Sequence, residues 1–354
     1  MIAADDFIIT KAEKSKLGSM NLEHIPFGKY FTDHMLEVDY ENGAWKTAEI
    51  KPYQPLSLAP SCAALHYGQA IFEGIKAFKN HEGEVSVFRP EENFKRFNIS
   101  AKRMEMPEVP EEIFIEGMKQ LVRLDKNWIP DKRDHSLYIR PFMFSSDEVI
   151  GVKPSGKYKF LIILSPTGPY YSAPMRIYVE EKYVRAVAGG VGYTKNAGNY
   201  GAAMHATAEA KRKGYDQVLW TDAFEHKYVQ ECGTMNVFFI IGNKAITPGL
   251  EEGTILAGVT RDSVIQLLKE LGLDVEERQL SIDEIEEAYK KGTLREVFGT
   301  GTAATISKIK ELCHRDLVMT FDTDQWEVAP EIKKRMTAIK EGIAEDKYGW
   351  MVKI

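Results

Sequence analysis

The sequence predicts two α+β domains joined by a short linker. Three observations carry this reading. The chain has 354 residues, against a usual domain size of roughly 100–200. Strand-like and helix-like periodicities alternate through both halves. Between them lies SPTGPYYSAP, residues 165–174, and its three prolines, one glycine and two serines are the strongest linker signal in the chain. The expected division is 1–165 as a smaller N-terminal domain, 166–174 as linker and 175–354 as a larger C-terminal domain.

The elements follow in order. Phe31 to Tyr40 and Trp45 to Lys51 read as strands around an Asn42–Gly43 turn, a pair that accepts the positive φ of a tight hairpin. Glu91 to Met104 reads as a helix, because Pro90 suits a first turn and Phe94, Phe97, Ala101 and Met104 recur at helical spacing. A second helix is expected from Glu111 to Leu124, with Phe114, Met118, Leu121 and Val122 on one face. Strands follow at Ser136 to Phe142 and Lys159 to Leu164. Beyond the linker, Met175 to Val179 and Tyr183 to Val187 alternate as strands. Helices are expected at about 201–213, 261–271, 282–291 and 330–347, with strands at Gln217 to Thr221 and Thr234 to Ile241. Gly214, Gly272 and Gly292 stand just past the first three helices as C-caps. Ser281 with Glu284 forms a capping box.

Composition excludes several classes of function. Hydrophobic residues make up 44% and charged residues 28%, which is globular rather than disordered. A formal charge of −6 lacks the basic footprint of a nucleic-acid binder. Cys62, Cys232 and Cys313 are far apart and form neither a CxxC pair nor a disulfide framework. No apolar run approaches the ~20 residues of a membrane helix. The start, MIAADDFIITKAEK, lacks a signal-type apolar block, so a cytoplasmic location is expected.

Several segments could carry chemistry. AGGVGYTKNAGNYGAAM, residues 188–204, holds five glycines and one lysine, Lys195. A lysine is ordinarily a solvated charge. Here the small, nearly uncharged surroundings suit a cleft wall, where a desolvated lysine becomes a nucleophile toward carbonyls. Nucleotide readings fail: Lys195 stands where the third glycine of GxGxxG belongs, and no GxxxxGK[ST] occurs. GVTRDS, 258–263, opens an amphipathic helix whose N-terminus could seat a phosphate, or could simply be capped by Thr260. GTGTAA, 299–304, is an anion nest or a plain turn. In LYIRPF, 137–142, alternation puts Tyr138 and Arg140 on one strand face, as a carboxylate clamp or a surface pair. Glu231 enters an apolar strand, which is costly unless its carboxylate meets a cation. ALHYGQAIFEG, 64–74, suits a pocket wall or a core equally. A reactive lysine, a phosphate seat, a carboxylate for a ring nitrogen and an Arg/Tyr clamp are together the parts that pyridoxal phosphate enzymes need.

At this point a family resemblance becomes specific. The chain resembles the branched-chain amino-acid aminotransferases of pyridoxal-phosphate fold type IV, in the longer-chain subgroup that includes animal enzymes. The matching motifs run in order: FGKYFTDHMLEVDY (27–40), ALHYGQAIFEGIKAF (64–78), NFKRFNISAKRM (93–104), SLYIRPF (136–142), KNAGNYGAA (195–203), QVLWTD (217–222), ECGTMNVFF (231–239), GVTRDS (258–263) and REVFGTGTAA (295–304). The resemblance implies a small N-terminal α/β sandwich domain, a larger C-terminal pseudo-barrel domain and a homodimer. It implies reversible transamination of leucine, isoleucine and valine with 2-oxoglutarate.

It also implies roles. Lys195 would bond the cofactor and move the substrate's α-proton. Glu231 would face the pyridine nitrogen, and Tyr200 the phenolic oxygen. Arg96 would bind the phosphate with the Val259 and Thr260 amides and the Thr302 hydroxyl; helix periodicity alone leaves Arg96 a solvated charge. Phe27, Tyr67, Phe72, Tyr138 and Tyr170 would line the substrate pocket, with the carboxylate against Tyr138, Arg140 and the Thr302–Ala303 amides. One departure stands out. Some animal relatives carry a redox CxxC after the GTA turn, and here the stretch reads AATIS, so that switch is expected to be absent. A D-amino-acid aminotransferase, or a lyase acting on an aminated chorismate, would share the lysine and glutamate motifs. The YIRP strand together with GTGTAA and the FTDHM block favours the branched-chain reading. A non-catalytic protein on the same scaffold would not need Lys195, Glu231, Tyr200 and Arg96.

Overall fold

The computed structural model describes residues 7–21, 25–168 and 173–354. Tyr170 and part of the expected linker lie outside the described residues. The chain divides into two compact units: residues 1–170 with 195–197 and 337–354, and residues 171–194 with 198–336. The last eighteen positions therefore belong to the first unit although they follow the second in sequence, and the final helix, Val328–Lys340, runs from the second unit into the first at Thr337.

In the first unit the elements are β1 (Ile8–Ile9), β2 (His34–Glu41), β3 (Ala44–Trp45), β4 (Glu49–Pro52), α1 (Ala63–Tyr67), β5 (Ala70–Phe72), β6 (Ile75–Lys79), β7 (Val85–Phe88), α2 (Pro90–Arg103), α3 (Gly117–Leu124), β8 (Ser136–Ser145) and β9 (Lys157–Thr167). The sheet order is β1-β4-β2-β9-β8-β6-β7, closed at its edge by a C-terminal strand, Met351–Lys353, antiparallel to β7. Asn42 (φ 56°) and Gly43 (φ 78°) make the expected hairpin turn. One sheet face, with Ile75, Ala77, Val87, Leu137 and Ile139, packs on α2 and α3. The rings of Phe97, Phe114 and Phe160 meet there at 5.4–5.8 Å, each fully buried and each contributing roughly 1.5–3 kcal/mol. Strand alternation turns Tyr138 and Arg140 to the opposite face.

The helix expected from Glu111 to Leu124 is not uniform. Glu112–Glu116 forms a π-helical turn before α3 begins at Gly117. A Cβ at Gly117 would sit 2.5 Å from Leu36 Cδ1, so the glycine lets the helix press against β2.

In the second unit the elements are β10 (Met175–Val179), α4 (Ala197–Arg212), β11 (Gln217–Thr221), β12 (Val229–Cys232), β13 (Asn236–Ile241), β14 (Lys244–Thr247), α5 (Val259–Glu270), β15 (Asp274–Glu277), α6 (Ile282–Lys290), β16 (Leu294–Gly301), β17 (Thr305–His314), β18 (Leu317–Thr320) and α7 (Val328–Lys340). They form a nine-stranded mixed sheet in the order β12-β11-β10-β17-β16-β13-β14-β15, with β18 on β17. Its core gathers Val237, Phe239, Val297 and Leu312 with Leu280 and Ile285. Ser281 Oγ accepts the Glu284 N–H as the capping box requires, and Gly214, Gly272 and Gly292 adopt positive φ.

Two sequence expectations fail here. Tyr183 to Val187 is not a strand. The Glu180 carboxylate accepts the N–H groups of Lys182 and Tyr183, and that turn takes the backbone out of the ladder. The last helix ends at Lys340 rather than 347, because Gly342 (φ 67°) turns the chain in the left-handed region. The N-terminus of α7 is closed by a distant acid: the buried Glu296 carboxylate accepts from the backbone N–H groups of Glu327, Val328 and Ala329.

Candidate active site

In the first unit the structure brings five of the expected residues into one cluster. Strand β5 pairs with the backbone around Lys195: the Phe72 N–H donates to Lys195 O (3.0 Å), and Ile71 bridges Asn196. The Lys195 N–H donates to Ser100 Oγ on α2 at 3.0 Å. Lys195 Nζ then lies 4.9 Å from the centre of the Phe72 ring, and Arg140 Cζ lies 4.7 Å from the same ring. Arg140 Nη2 donates to the Tyr138 hydroxyl (3.0 Å), and the Phe27 ring meets Tyr138 edge-on at 4.9 Å. Phe27, Tyr138, Arg140, Phe72 and Lys195 thus form one connected run.

Two details show how closely this run is built. A Cβ at Gly74 would sit 2.1 Å from the Tyr138 hydroxyl, so glycine is what admits that ring. Arg140 Nε is buried with no hydrogen-bond partner among the described residues. A buried guanidinium donor left unmatched beside a hydroxyl fits a missing carboxylate oxygen. Tyr138 is buried, so the surface-pair reading of LYIRPF does not hold. Beside Phe72 and Arg140 opens a cavity of about 480 Å³, walled mainly by Leu56, Leu58, Phe142, Phe144 and Ile163. Tyr67, at the end of α1, is 41% exposed, and its ring stands 6.1 Å from that of His66.

Arg96 is buried, not solvated. It forks onto Glu73, with Nε donating to Oε1 at 2.8 Å and Nη2 to Oε2 at 2.7 Å. Burial alone would raise the Glu73 carboxyl's pKa. The Arg96 charge and the hydrogen bonds of Arg96 and Asn93 outweigh it, and the carboxyl stays below its usual range.

In the second unit a different group assembles. Glu231 is buried on β12 and meets the cation its position demanded: Arg185 Nε stands 3.0 Å from Oε2. Arg185 also donates through Nη1 to Thr254 O and through Nη2 to Gly192 O. Glu231 Oε1 accepts the Leu256 N–H at 2.7 Å, and Asn236 Nδ2 donates to Leu256 O. The segment entering α5 is therefore held residue by residue. Its N-cap is Gly258, in extended backbone with no side-chain cap, so Thr260 does not cap the helix as the plain reading supposed. A Cβ at Gly258 would sit 2.0 Å from Asn236 Oδ1. Val259 and Thr260 are buried in the first turn. Thr302 and Ala303 form the tight turn joining β16 to β17, closed by the Gly301–Thr305 pair. Tyr200 is half-buried on α4. On the same helix, Asn199 Nδ2 donates to Val191 O and Thr194 O and fixes the glycine-rich loop.

Sequence reasoning did not find Arg185, Glu73 or Ser100. The cost of a carboxylate in an apolar strand pointed to a cation near Glu231 without saying which one. Ser100 lies with Asn93 and Arg96 on one face of α2, a polar stripe beside the apolar one.

These parts fit a phosphorylated aldehyde cofactor. Lys195 supplies an amine of the kind that condenses with an aldehyde, a buried carboxylate carries its own counter-cation, and a helix N-terminus without a side-chain cap suits an anion. Comparison with known proteins agrees. Residues 70–312 match the family described as amino-transferase class IV. The chain is 50% identical over 337 residues to a probable branched-chain-amino-acid aminotransferase of Staphylococcus epidermidis, covering 94% of each chain. It is 48% identical to branched-chain-amino-acid transaminase 1 of Bacillus subtilis, covering 93% of this chain and 94% of that one. Among solved structures, the Escherichia coli branched-chain amino acid aminotransferase superposes with a TM-score of 0.72 at 27% identity, covering 89% of this chain and 98% of that one. A T.th. branched-chain amino acid aminotransferase with pyridoxamine 5'-phosphate gives 0.72 at 29% identity, covering 89% and 97%. With the family match over residues 70–312 and relatives at 48–50% identity over nearly the whole chain, this chain belongs to the class IV aminotransferases, in their branched-chain-amino-acid branch.

Proposed function

We propose that this chain transfers the amino group of leucine, isoleucine and valine to 2-oxoglutarate, giving branched 2-oxo acids and L-glutamate, reversibly, with pyridoxal 5'-phosphate as cofactor. The observation that carries the reading is the Phe72 ring, with a lysine amine on one contact and a guanidinium on another. An amine, a guanidinium and an aromatic face around a single side chain support a nucleophile, a carboxylate seat and an apolar wall in those roles.

When bound, the cofactor supplies a sink for the electrons released at the substrate's α-carbon. The rest falls to this chain. Lys195 Nζ would bond the cofactor and would carry the proton between the substrate's α-carbon and the cofactor's C4′ carbon. The Glu231 carboxylate, with Arg185 as its counter-charge, would keep a proton on the ring nitrogen. The Tyr200 hydroxyl would hydrogen-bond the phenolic oxygen. Arg96, the N–H groups of Val259 and Thr260 and the Thr302 hydroxyl would hold the phosphate. Arg140, Tyr138 and the Thr302–Ala303 amides receive the carboxylate, and Phe27, Tyr67, Phe72 and Tyr170 exclude water from the aliphatic side chain. Such a wall separates one methylene by only ~1–3 kcal/mol, so all three branched substrates are accepted. The protein acts as a homodimer in the cytoplasm. Among the described residues no helix is long and apolar enough to cross a membrane.

Purified protein should be yellow, and borohydride should fix the cofactor to the peptide containing Lys195. With 2-oxoglutarate as acceptor, a panel of amino donors should give turnover with leucine, isoleucine and valine. A colourless protein that takes up no cofactor, or a panel in which these three donors are silent, refutes the proposal. Sizing under native conditions tests the dimer.

A further inference from the structure

Glu73 is fully buried, and every contact it makes is specific. Its Oε1 accepts from Arg96 Nε, and its Oε2 accepts from Arg96 Nη2 (2.7 Å) and Asn93 Nδ2 (2.8 Å), with the Gly74 N–H at 3.2 Å. Its own N–H donates to Pro141 O at 2.7 Å, next to Arg140. It stands between Phe72, which contacts Lys195 and Arg140, and Gly74, which admits Tyr138. A buried ion pair of this kind contributes little net stability, since an apolar pair of equal volume does as well. What it does supply is orientation: a two-point fork fixes the plane of a guanidinium.

The partners of this fork lie on one stripe of α2. Asn93 and Arg96 address Glu73. One turn further on, Ser100 Oγ donates to Arg96 O (3.1 Å) and accepts the Lys195 N–H. The same helix face therefore registers the Arg96 guanidinium and the backbone of the reactive lysine against one strand.

We propose that Glu73 is a positioning residue for the cofactor's phosphate: with Asn93 it fixes the Arg96 guanidinium so that the edge away from the fork addresses the phosphate. This rests on the reading of Arg96 as a phosphate ligand. A glutamine at this position would turn an N–H₂ toward Arg96 or Asn93, both donors, and the guanidinium would lose its fixed plane.

The test compares two aldehydes that differ only in the phosphate. The full-length chain, freed of cofactor, is titrated with pyridoxal 5'-phosphate and with pyridoxal, following tryptophan fluorescence, for wild type, Glu73→Gln, Asn93→Ala and Arg96→Gln. Glu73→Gln should weaken pyridoxal phosphate about ten- to a hundredfold, the worth of a charged hydrogen bond, and pyridoxal by less than about twofold. Asn93→Ala should give a smaller loss with the same selectivity, and decides the matter if Glu73→Gln does not fold. Equal weakening of both aldehydes would mean a merely structural role and overturns the proposal, as would unchanged affinity for both. Arg96→Gln separates the two layers of the argument. If it loses phosphate selectivity while Glu73→Gln and Asn93→Ala keep it, only the positioning role falls. If Arg96→Gln itself keeps wild-type selectivity, the phosphate reading of Arg96 falls with it.

Discussion

Replacing Arg185 with methionine tests how the second unit holds its buried carboxylate. In the Arg185–Glu231 pair the side chains are 6% and 3% exposed. Methionine fills most of the volume but takes the Arg185 charge away from Glu231, and removing one partner of a buried pair costs roughly 3–5 kcal/mol. Arg185 also serves Thr254 O and Gly192 O, whose lost donors each cost about 1 kcal/mol or more when water cannot replace them. These terms overlap because they share one side chain, so a loss of about 4 kcal/mol is expected. Urea unfolding followed by circular dichroism measures it. Glu231→Gln in the Arg185→Met background should recover part of the loss, because the buried charge that Arg185 had balanced is gone. A single variant that unfolds at the wild-type urea concentration, or a double variant no better than the single, refutes the reasoning.

Three other outcomes follow from the same contacts. Gly74→Ala should raise KM for leucine at least tenfold, since the new Cβ would stand 2.1 Å from the Tyr138 hydroxyl and must push it off Arg140; an unchanged KM would refute this. Arg140→Lys should raise KM for amino acids more than it lowers kcat, because lysine keeps the charge but loses the planar fork stacked on Phe72. Steady-state kinetics with leucine decides it, and wild-type KM counts against the clamp. Lys340→Met should stabilise the protein at pH 7. Burial, aggravated by the nearby Lys76 charge, pushes the Lys340 amine down to about 7, and burial holds Lys76 at about 8. A lysine whose folded pKa lies below its unfolded value of about 10.4 penalises the fold fully below the folded pKa, and the penalty fades as pH rises toward the unfolded one. The methionine variant's advantage in urea melts should therefore be largest at pH 6 and shrink by pH 10; an advantage independent of pH would place its cause elsewhere.

What could be read from the sequence depended on whether a residue's local pattern matched its tertiary task. The hairpin at Asn42–Gly43, the capping box at Ser281 and the glycine C-caps are local devices, and they are found as expected. Glu231 was half legible: its cost in an apolar strand required a cation, but Arg185 comes from a segment that alternates like a strand. That segment is not one because Glu180 intercepts its amides, and this side-chain event leaves no periodic trace. Arg96 was misjudged by periodicity because the apolar stripe of α2 hides a polar stripe beside it. Asn93, Arg96 and Ser100 are all buried, and the contacts of Glu73 and Lys195 give that face a purpose. Glu73 itself was lost inside a motif that read equally as wall or core.

The same contacts bear on how the lysine can act without a moving loop. Its backbone is fixed on both sides, by Ser100 at the N–H and Phe72 at the carbonyl, with Asn196 bridged to Ile71 just beyond. A glycine-rich loop precedes it, but Asn199 ties that loop at Val191 and Thr194, so the glycines serve close approach rather than mobility. At Gly192 a Cβ would stand 2.5 Å from Ala186 Cβ and 2.6 Å from Thr254 O, which leaves no room for a larger residue. Freedom is thereby confined to the four-carbon stem of Lys195, a flexible arm ending in a compact charge. The role proposed for Lys195, holding a cofactor at one moment and carrying a proton at the next, calls for that arrangement: a stationary anchor, so that each return finds the same geometry, and a short arm whose rotamers suffice for the journey. A mobile backbone would add ordering entropy to every turnover, at about 1–2 kcal/mol for each residue fixed, and the pinned backbone avoids that cost.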